Sequence, residues 1–194
     1  MNLSRIIISV TLFSLFFACS KNDDNPVTPP SSNITFSNSP FDLQGTNAKF
    51  AKDIAYDSKT RTQFDIWLPT SNSPTGLVIY VHGGGFTSGD KDFVYTVQSG
   101  GAWDFPTDIR YLLQNNIAFA TVRYTYLNNT GETEGVKKPM SDVKRALQYI
   151  RSRASDFNID KTLSPFLQLS FPLASEKLPC VQIKIHRHLP CRLF

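Results

Sequence analysis

The sequence predicts an α/β fold in which an antiparallel hairpin is followed by parallel strands with crossover helices. Residues 77–81 and 117–122 are apolar runs without polar alternation, which is typical of strands covered on both faces. Residues 106–114 and 139–157 place apolar side chains at helical spacing, and each segment has a buried strand before it. Residues 50–68 instead alternate polar and apolar side chains. Because strands and helices then alternate along the chain, we expect a parallel sheet behind the hairpin.

The hairpin is predicted from two alternating segments, residues 50–56 and 63–68, which a polar turn at 57–62 separates. Pro69 ends the second segment, because proline has no N–H to donate to a neighbouring strand. The first buried strand comes after a short loop and runs directly into a histidine and three glycines, residues 82–85. Such glycines let the backbone turn tightly and present bare N–H groups to a cleft.

Two helices are predicted downstream of this strand. In the first, Ile109, Leu112 and Leu113 fall on one face. In the second, Ser141 or Asp142 is expected to cap the N-terminus. Apolar residues of the second helix recur at helical spacing at positions Val143, Ala146, Leu147, Ile150 and Ala154. Residues 158–160 then lead toward a further strand.

The composition is that of one packed domain and excludes a nucleic-acid partner. Of the 194 residues, 41% are hydrophobic and 19% are charged, as in ordinary globular proteins. The net charge is +4, but the basic residues are scattered and no basic run is interleaved with stacking aromatics. We therefore expect no binding to nucleic acid.

Residues 1–18 resemble the signal peptide of a bacterial lipoprotein. Arg5 precedes an apolar stretch at 6–18, which has the length of a signal-peptide core and is too short for a membrane-spanning helix. Cys19 follows the small residue Ala18 and precedes a polar, acidic segment. The resemblance implies export, cleavage before Cys19 and lipid attachment to its thiol, which would anchor the protein to a membrane on the periplasmic or cell-surface side. A plain secretory signal is the alternative.

Three further regions follow the signal peptide. Residues 19–45 are rich in Asn, Ser, Asp and Pro, and they are predicted to be a flexible tether because this composition buries little apolar surface. Residues 46–162 are predicted to form the folded domain. Residues 163–194 lose all periodicity, and we expect them to be an aberrant, disordered tail.

The strand and its glycines resemble the HGGG carboxylesterases and lipases of the α/β-hydrolase family. Residues 77–89 read Leu-Val-Ile-Tyr-Val-His-Gly-Gly-Gly-Phe-Thr-Ser-Gly, and family-like segments stand in order at 64–69, 118–124 and 142–150. The resemblance implies the N-terminal half of an α/β-hydrolase sheet and an activity on carboxylic esters, either small molecules or esters linked to polysaccharides. It implies no cofactor and no metal.

The resemblance also assigns roles within the glycine segment. Gly84 and Gly85 would donate their backbone N–H groups to the oxygen that becomes negative in the tetrahedral intermediate. A side chain at these positions would hold the substrate carbonyl away. His82 would support the loop through side-chain hydrogen bonds rather than act as a base, and Gly83 would belong to the same support.

The family pattern breaks where its nucleophile should stand. The Gly-x-Ser-x-Gly elbow is expected shortly after Thr162, but no glycine occurs from 163 to 194. Ser170 lies between bulky residues and close to Pro172, which does not fit an elbow. The resemblance therefore implies a sheet truncated before the nucleophile strand, with no catalytic triad present.

Two other interpretations of residues 163–194, a catalytic triad and a metal site, have weaker support. A triad of Ser170, Glu176 and either His186 or His188 would need further strand and helix units, for which the spacing leaves no room. A metal site built from the histidines with Cys180 and Cys191 fits no standard zinc spacing, and an incidental disulfide between these two cysteines is favoured.

Four expectations follow. We expect a shifted reading frame or abnormal termination near Thr162. Without a nucleophile strand, the strand at 77–81 would keep an unpaired edge and the chain would be marginally stable. The function expected from the resemblance is carboxylic ester hydrolysis, with this chain inactive. The alternative is a non-catalytic lipoprotein that binds a glycan or lipid, and the aromatic residues near the cleft are Phe86, Phe93, Tyr95 and Trp103.

Overall fold

The computed structural model describes residues 33–97, 104–127 and 135–162, together with the backbone of 166–169. The predicted signal peptide and the lipidation site at Cys19 lie outside these residues. Among the residues that are described, no helix is long and apolar enough to cross a membrane.

A mixed sheet of six strands forms the centre of the described structure. The strands stand in the order β1-β2-β3-β5-β4-β6 across the sheet. In chain order they are β1 Phe36–Ser37, β2 Lys49–Ala55, β3 Gln63–Leu68, β4 Gly76–Val81, β5 Ile117–Val122 and β6 Phe166–Leu169. The helices are α1 Phe105–Gln114, between β4 and β5, and α2 Lys137–Ser152, between β5 and β6. A short 3₁₀ helix, Lys91–Tyr95, precedes α1.

The strand pairing confirms the predicted fold class. β2 and β3 form the antiparallel hairpin, and β3 pairs antiparallel with β5. β4 pairs in parallel with β5 on one side and with β6 on the other. Both parallel connections run through a helix, as crossover units require.

The central strands bury apolar side chains on both faces of the sheet. One face packs against α2 through Val143, Ala146 and Ile150. The other face packs against α1 through Phe105, Ile109 and Leu113, and it contains the fully buried Trp67. The continuous apolar runs in the sequence therefore reflect a sheet with a helix on each side.

The helix ends show where local sequence signals succeed and fail. Asp104 caps α1 by accepting from the N–H of Thr107, and Pro106 lies in the first turn. α2 begins at Lys137 and ends at Ser152, earlier at both ends than predicted. The prediction that Ser141 or Asp142 caps α2 is wrong, because both residues lie inside the helix. The buried Asp142 carboxylate binds residues of other segments instead.

Part of the predicted tether belongs to the packed structure. Phe36 and Ser37 pair with Ala51 and Phe50 of β2. Phe41 stacks on Trp67 with 5.5 Å between ring centroids. The indole of Trp67 is fully buried, and the aromatic ring of Phe41 supplies part of its cover from water.

The predicted tail also contributes to the sheet. Residues 166–169 form β6, in register with β4 from Val78 opposite Phe166 to Val81 opposite Leu169. The expectation of an unpaired edge along β4 is therefore wrong, because the segment Phe-Leu-Gln-Leu satisfies those backbone groups. The sheet has a strand beside β4, where the nucleophile strand was expected.

Candidate active site

The glycine loop, which we define as residues 82–90, leaves the sheet where three parallel strands end together. Val81 is in register with Val122 of β5 and with Leu169 of β6. Ligands of open α/β sheets bind outside these carboxyl ends. The same register brings Tyr124, two residues beyond β5, next to His82.

His82 is a buried support of the loop. It is 3% exposed, and its imidazole stacks on the Tyr124 ring with 4.3 Å between centroids and 13° between planes. The Tyr124 hydroxyl donates to the His82 carbonyl at 3.0 Å. Burial raises the pKa of Tyr124 to about 12, so this hydroxyl keeps its proton at neutral pH.

The hydrogen bond of the imidazole fixes its tautomer. His82 Nδ1 lies 2.8 Å from the Gly83 carbonyl oxygen, and a carbonyl can only accept, so Nδ1 carries the proton. Burial lowers the pKa of His82, which keeps the ring neutral and leaves Nε2 unprotonated. Nε2 is buried without a hydrogen-bond partner in the described part of the chain. His82 is therefore placed as a support for the loop and not as a base.

The carbonyl of Gly83 sets the direction of the Gly84 N–H. No peptide bond in the described chain is cis, and the C=O and N–H of one trans peptide point in opposite directions. His82 holds the Gly83 carbonyl toward the buried imidazole. The N–H of Gly84 therefore points away from His82.

The next peptide is fixed in the same way. The Gly84 carbonyl accepts from the N–H groups of Thr87 and Ser88, both at 3.1 Å, and from their hydroxyls at 3.2 and 3.1 Å. The N–H of Gly85 points away from these donors. Within the described residues, neither Gly84 nor Gly85 donates a hydrogen bond from its backbone N–H. The loop thus offers two donors whose directions are set by anchored carbonyls.

The two glycines are needed for different reasons. Gly84 has a φ of +110°, and a Cβ there would lie 2.2 Å from the carbonyl oxygen of Ser88. Gly85 has a φ of +60°, and a Cβ there would meet no atom of the described residues within 4 Å. Gly84 is therefore required by the packing of the loop, whereas a side chain at Gly85 would contact none of the described residues but would need an unfavourable backbone angle.

Tyr124 and Gly89 are parts of the site that were not predicted from the sequence. Gly89 has a φ of +91°, and a Cβ there would lie 2.5 Å from the Gly83 oxygen and 2.6 Å from His82 Nδ1. It therefore packs directly against the hydrogen bond that orients the loop. The sequence signal for Gly89 was a further glycine four residues after the HGGG segment, and the signal for Tyr124 was the polar end of an apolar strand.

Charged residues anchor the end of the glycine loop to the sheet. Asp90 accepts from the Lys91 N–H at 2.7 Å and pairs with the Arg123 guanidinium, also at 2.7 Å. Burial opposes ionisation of Asp90, but the hydrogen bonds from Arg123 and Lys91 outweigh it and hold the pKa of this carboxyl below its usual range. The Lys91 ammonium is buried between Asp65 at 2.7 Å and Asp53 at 2.8 Å.

The remaining predicted residues are distributed as follows. Outside the described residues lie Cys19, Trp103, Ser170, Glu176, Cys180, His186, His188 and Cys191. Of the aromatic residues near the loop, Phe86 packs against the Tyr124 ring, and Tyr95 donates to the buried Asp65 carboxylate. Phe93 is 42% exposed. Across the described ranges, no group of three or more His, Cys, Asp or Glu side chains could hold a metal ion.

Residues 64–164 match the family model described as BD-FAE. This match covers just over half of the 194 residues, from the start of the second hairpin strand to the residues before β6. The chain belongs to the BD-FAE family. BD-FAE domains are esterase-like relatives of the α/β-hydrolases, so the resemblance carried by the HGGG segment is confirmed at the level of family and fold.

Several solved esterase structures are similar to this BD-FAE chain. They include esterase B from Lactobacillus rhamnosis, with 16% identity over 70% of this chain and 37% of that chain and a TM-score of 0.48. A truncated carbohydrate esterase from gut microbiota has 16% identity over 72% and 41%, with a TM-score of 0.44. A bacterial heroin esterase has 18% identity over 68% and 36%, with a TM-score of 0.42. The chain spans 36 to 41% of the length of these three structures. No curated protein sequence matches the chain.

Proposed function

We propose that this chain carries the oxyanion-stabilising part of a carboxylic ester hydrolase, with Gly84 and Gly85 as the two donors. Hydrolysis of an ester places negative charge on the former carbonyl oxygen in the tetrahedral intermediate. Two N–H groups that are already oriented stabilise that charge without reorganising during the reaction. In this proposal His82, Gly83 and Tyr124 hold the donors in place and take no proton.

One observation carries the proposal: both donor peptides are locked through their carbonyls. The Gly83 oxygen is bound by His82, and the Gly84 oxygen is bound by four donors from Thr87 and Ser88. Membership of the BD-FAE family supports ester chemistry at this loop. The substrate class follows as a carboxylic ester, either small or linked to a polysaccharide.

We further propose that the chain does not turn over esters by itself. The sequence contains no Gly-x-Ser-x-Gly segment, so no serine stands in the turn that the family uses for acylation. The match to the family model ends at residue 164, and no glycine that could flank a nucleophile follows it in the sequence. The chain would then keep the two oxyanion donors without a serine nucleophile.

Hydrolysis of p-nitrophenyl acetate by the purified chain tests the proposal that the chain does not turn over esters by itself. We expect no release of p-nitrophenol above that of the Gly84→Val variant. Turnover that Gly84→Val abolishes would overturn the inactivity and would call for an unidentified nucleophile. Binding of an ester-free glycan in calorimetry, without turnover, would favour the non-catalytic alternative.

A hybrid enzyme tests the donors themselves. Residues 33–162 are joined to the C-terminal half of an active BD-FAE esterase, and folding of the hybrid is verified by its thermal transition. We expect Gly84→Ala to lower kcat by about 10² to 10³, because its Cβ would clash with the Ser88 carbonyl and displace the Gly84 N–H, which costs about as much as losing one oxyanion donor. The control is Gly76→Ala at the start of β4, where a Cβ meets nothing within 4 Å. Equal activity of the two variants would refute the role of Gly84.

We also propose that the chain is exported and anchored through a lipid on Cys19. The supporting observation is the apolar segment 6–18 followed by Ala18 and Cys19. Labelling with radioactive palmitate in a bacterial host tests it. Label in the parent and none in Cys19→Ser is expected, whereas an unlabelled parent would favour the plain secretory signal.

A further inference from the structure

Arg61 lies in the turn of the β2–β3 hairpin, yet its side chain joins the glycine loop to the end of β5. Its Nη2 donates to the Gly89 carbonyl at 3.2 Å, and its Nε donates to the Tyr124 carbonyl at 3.1 Å. Its guanidinium carbon lies 3.7 Å from the centre of the Tyr126 ring. One planar group therefore spans two backbone segments that are distant in sequence.

One of the two carbonyls that Arg61 binds belongs to Gly89, which packs against the hydrogen bond between His82 and Gly83. The backbone of Gly89 approaches the Gly83 oxygen and His82 Nδ1 so closely that a Cβ would lie 2.5 and 2.6 Å from them. A displacement of Gly89 therefore disturbs the hydrogen bond that orients the Gly84 N–H. The second partner of Arg61 is the backbone of Tyr124, whose ring stacks on His82.

Neighbouring charges leave Arg61 available for these carbonyls. The Asp90 carboxylate is held by Arg123 through Nε at 2.8 Å and Nη2 at 2.7 Å. Arg61 approaches the same carboxylate only at 3.5 Å. The hydroxyl of Tyr126, which stacks under Arg61, also donates to the Gly89 carbonyl. Arg61 and Tyr126 thus hold one carbonyl from two sides.

We propose that Arg61 is a positioning residue for the oxyanion donors, acting from the hairpin turn through Gly89 and Tyr124. This inference rests on the proposed function of the glycine loop, because it explains how the donors are held. Its physical basis is the fixed fork of the guanidinium, which binds both carbonyls at once. A lysine at this position is a single ammonium on a flexible stem and does not span the two acceptors in the same way.

Amide hydrogen exchange of the full chain, resolved by NMR, tests the inference without any ester chemistry. The reporters are the N–H groups of Thr87 and Ser88, which are bonded to the Gly84 carbonyl. We expect Arg61→Met to raise their exchange rates by at least about tenfold, while amides inside α2 keep their rates. In Arg61→Lys, the exchange rates of these two amides should lie between the rates in Arg61→Met and those in the parent.

The matched control is Arg110→Met. Arg110 also donates to a backbone carbonyl, that of Asp42 at 3.0 Å, and to the Thr107 hydroxyl at 2.8 Å, but it touches no residue of the glycine loop. We expect no change in the Thr87 and Ser88 rates for this control. If Arg61→Met does not fold, the comparison of Arg61→Lys with Arg110→Lys replaces it.

The outcomes separate this inference from the proposed function. Unchanged exchange at Thr87 and Ser88, or a rise shared equally by α2, would overturn the role of Arg61. Neither result bears on whether Gly84 and Gly85 bind an oxyanion, which the hybrid enzyme measures. A local rise in exchange together with equal activity of the Gly84→Ala and Gly76→Ala hybrids would keep Arg61 as a loop anchor and refute the oxyanion site.

Discussion

Replacing Gly84 by alanine perturbs the glycine loop at its tightest point. With a φ of +110°, Gly84 has a conformation that side chains rarely adopt. An added Cβ would lie 2.2 Å from the carbonyl oxygen of Ser88 and 2.7 Å from its hydroxyl oxygen, whereas real Cβ contacts stay above 3.0 Å. The backbone at Ser88 must therefore move, and its hydrogen bond to the Gly84 carbonyl is lost or distorted.

The expected loss in the free energy of unfolding follows from the steric clash of the Cβ and from the unfavourable backbone angle. Overpacking costs about 1–3 kcal/mol and an unfavourable backbone angle costs about 1–3 kcal/mol, so Gly84→Ala should lower the free energy of unfolding by about 4 kcal/mol. Gly85→Ala has open space and a left-handed φ of +60°, so we expect a loss of about 1–2 kcal/mol. Gly76→Ala has open space and no positive φ, and it should stay within about 0.5 kcal/mol of the parent.

Urea unfolding followed by circular dichroism measures this series. With a denaturant slope of about 2 kcal/mol per molar, Gly84→Ala should lower the unfolding midpoint by about 2 M and Gly85→Ala by less than about 1 M. The reasoning would be refuted if the two variants shifted the midpoint equally. It would also be refuted if Gly84→Ala resembled Gly76→Ala.

Three further predictions concern the supports of the loop. Asp65→Asn breaks the buried pair with Lys91 and should lower the unfolding free energy in urea by about 3 kcal/mol. The exposed Asp156→Asn should cost less than about 1 kcal/mol, and equal losses would contradict a buried pair. Tyr124→Phe removes the hydrogen bond to the His82 carbonyl and should cost about 1 kcal/mol in the same assay, whereas no loss would show that this bond is not formed. Burial lowers the pKa of His82 in the folded chain, so the unfolded chain binds the proton more readily. The contribution of the neutral imidazole to the free energy of unfolding is therefore fully present above about pH 6.5, and it is lost as the pH falls below that value. The free energy of unfolding should therefore fall more steeply from about pH 7.5 to about pH 5 in the parent than in His82→Asn, and parallel curves would contradict a buried neutral imidazole.

Most of the sheet could be predicted because its signals are local. The alternation at 50–56 and 63–68 and the apolar runs at 77–81 and 117–122 reproduce β2 to β5 within one residue or so at each end. Period-two and period-3.6 patterns are written within a single segment, so they need no knowledge of the partner. The same holds for the body of α2.

The elements that the sequence missed depend on distant partners. Asp142 looks like a helix cap, but its carboxylate binds Lys59 and the Thr125 N–H instead. Phe41 lies in a polar, proline-containing region, and only the presence of Trp67 explains why it packs. β6 is four residues long in a segment without glycine, and its pairing with β4 could not be seen in its own pattern.

The residues of the site also divide into those that a local motif predicts and those that reach the loop from elsewhere. The glycines and His82 form one contiguous motif, so their position was predicted directly. Tyr124 and Arg61 reach the loop from other elements, and Gly89 is explained only by its approach to the Gly83 carbonyl. Contacts between residues that are dozens of positions apart leave no local periodicity, which is why the roles of Tyr124 and Arg61 emerged only from the structure.

Hydrogen exchange of four neighbouring amides in the unmodified chain tests the central claim, that the glycine loop presents two bare donors. Thr87 and Ser88 donate to the Gly84 carbonyl, whereas the N–H groups of Gly84 and Gly85 point away from anchored carbonyls. The N–H groups of Gly84 and Gly85 should exchange at least about tenfold faster, relative to their unstructured rates, than those of Thr87 and Ser88. Protection of Gly84 or Gly85 as strong as that of Ser88 would mean that the donor is used inside the fold, and it would contradict the proposed oxyanion site.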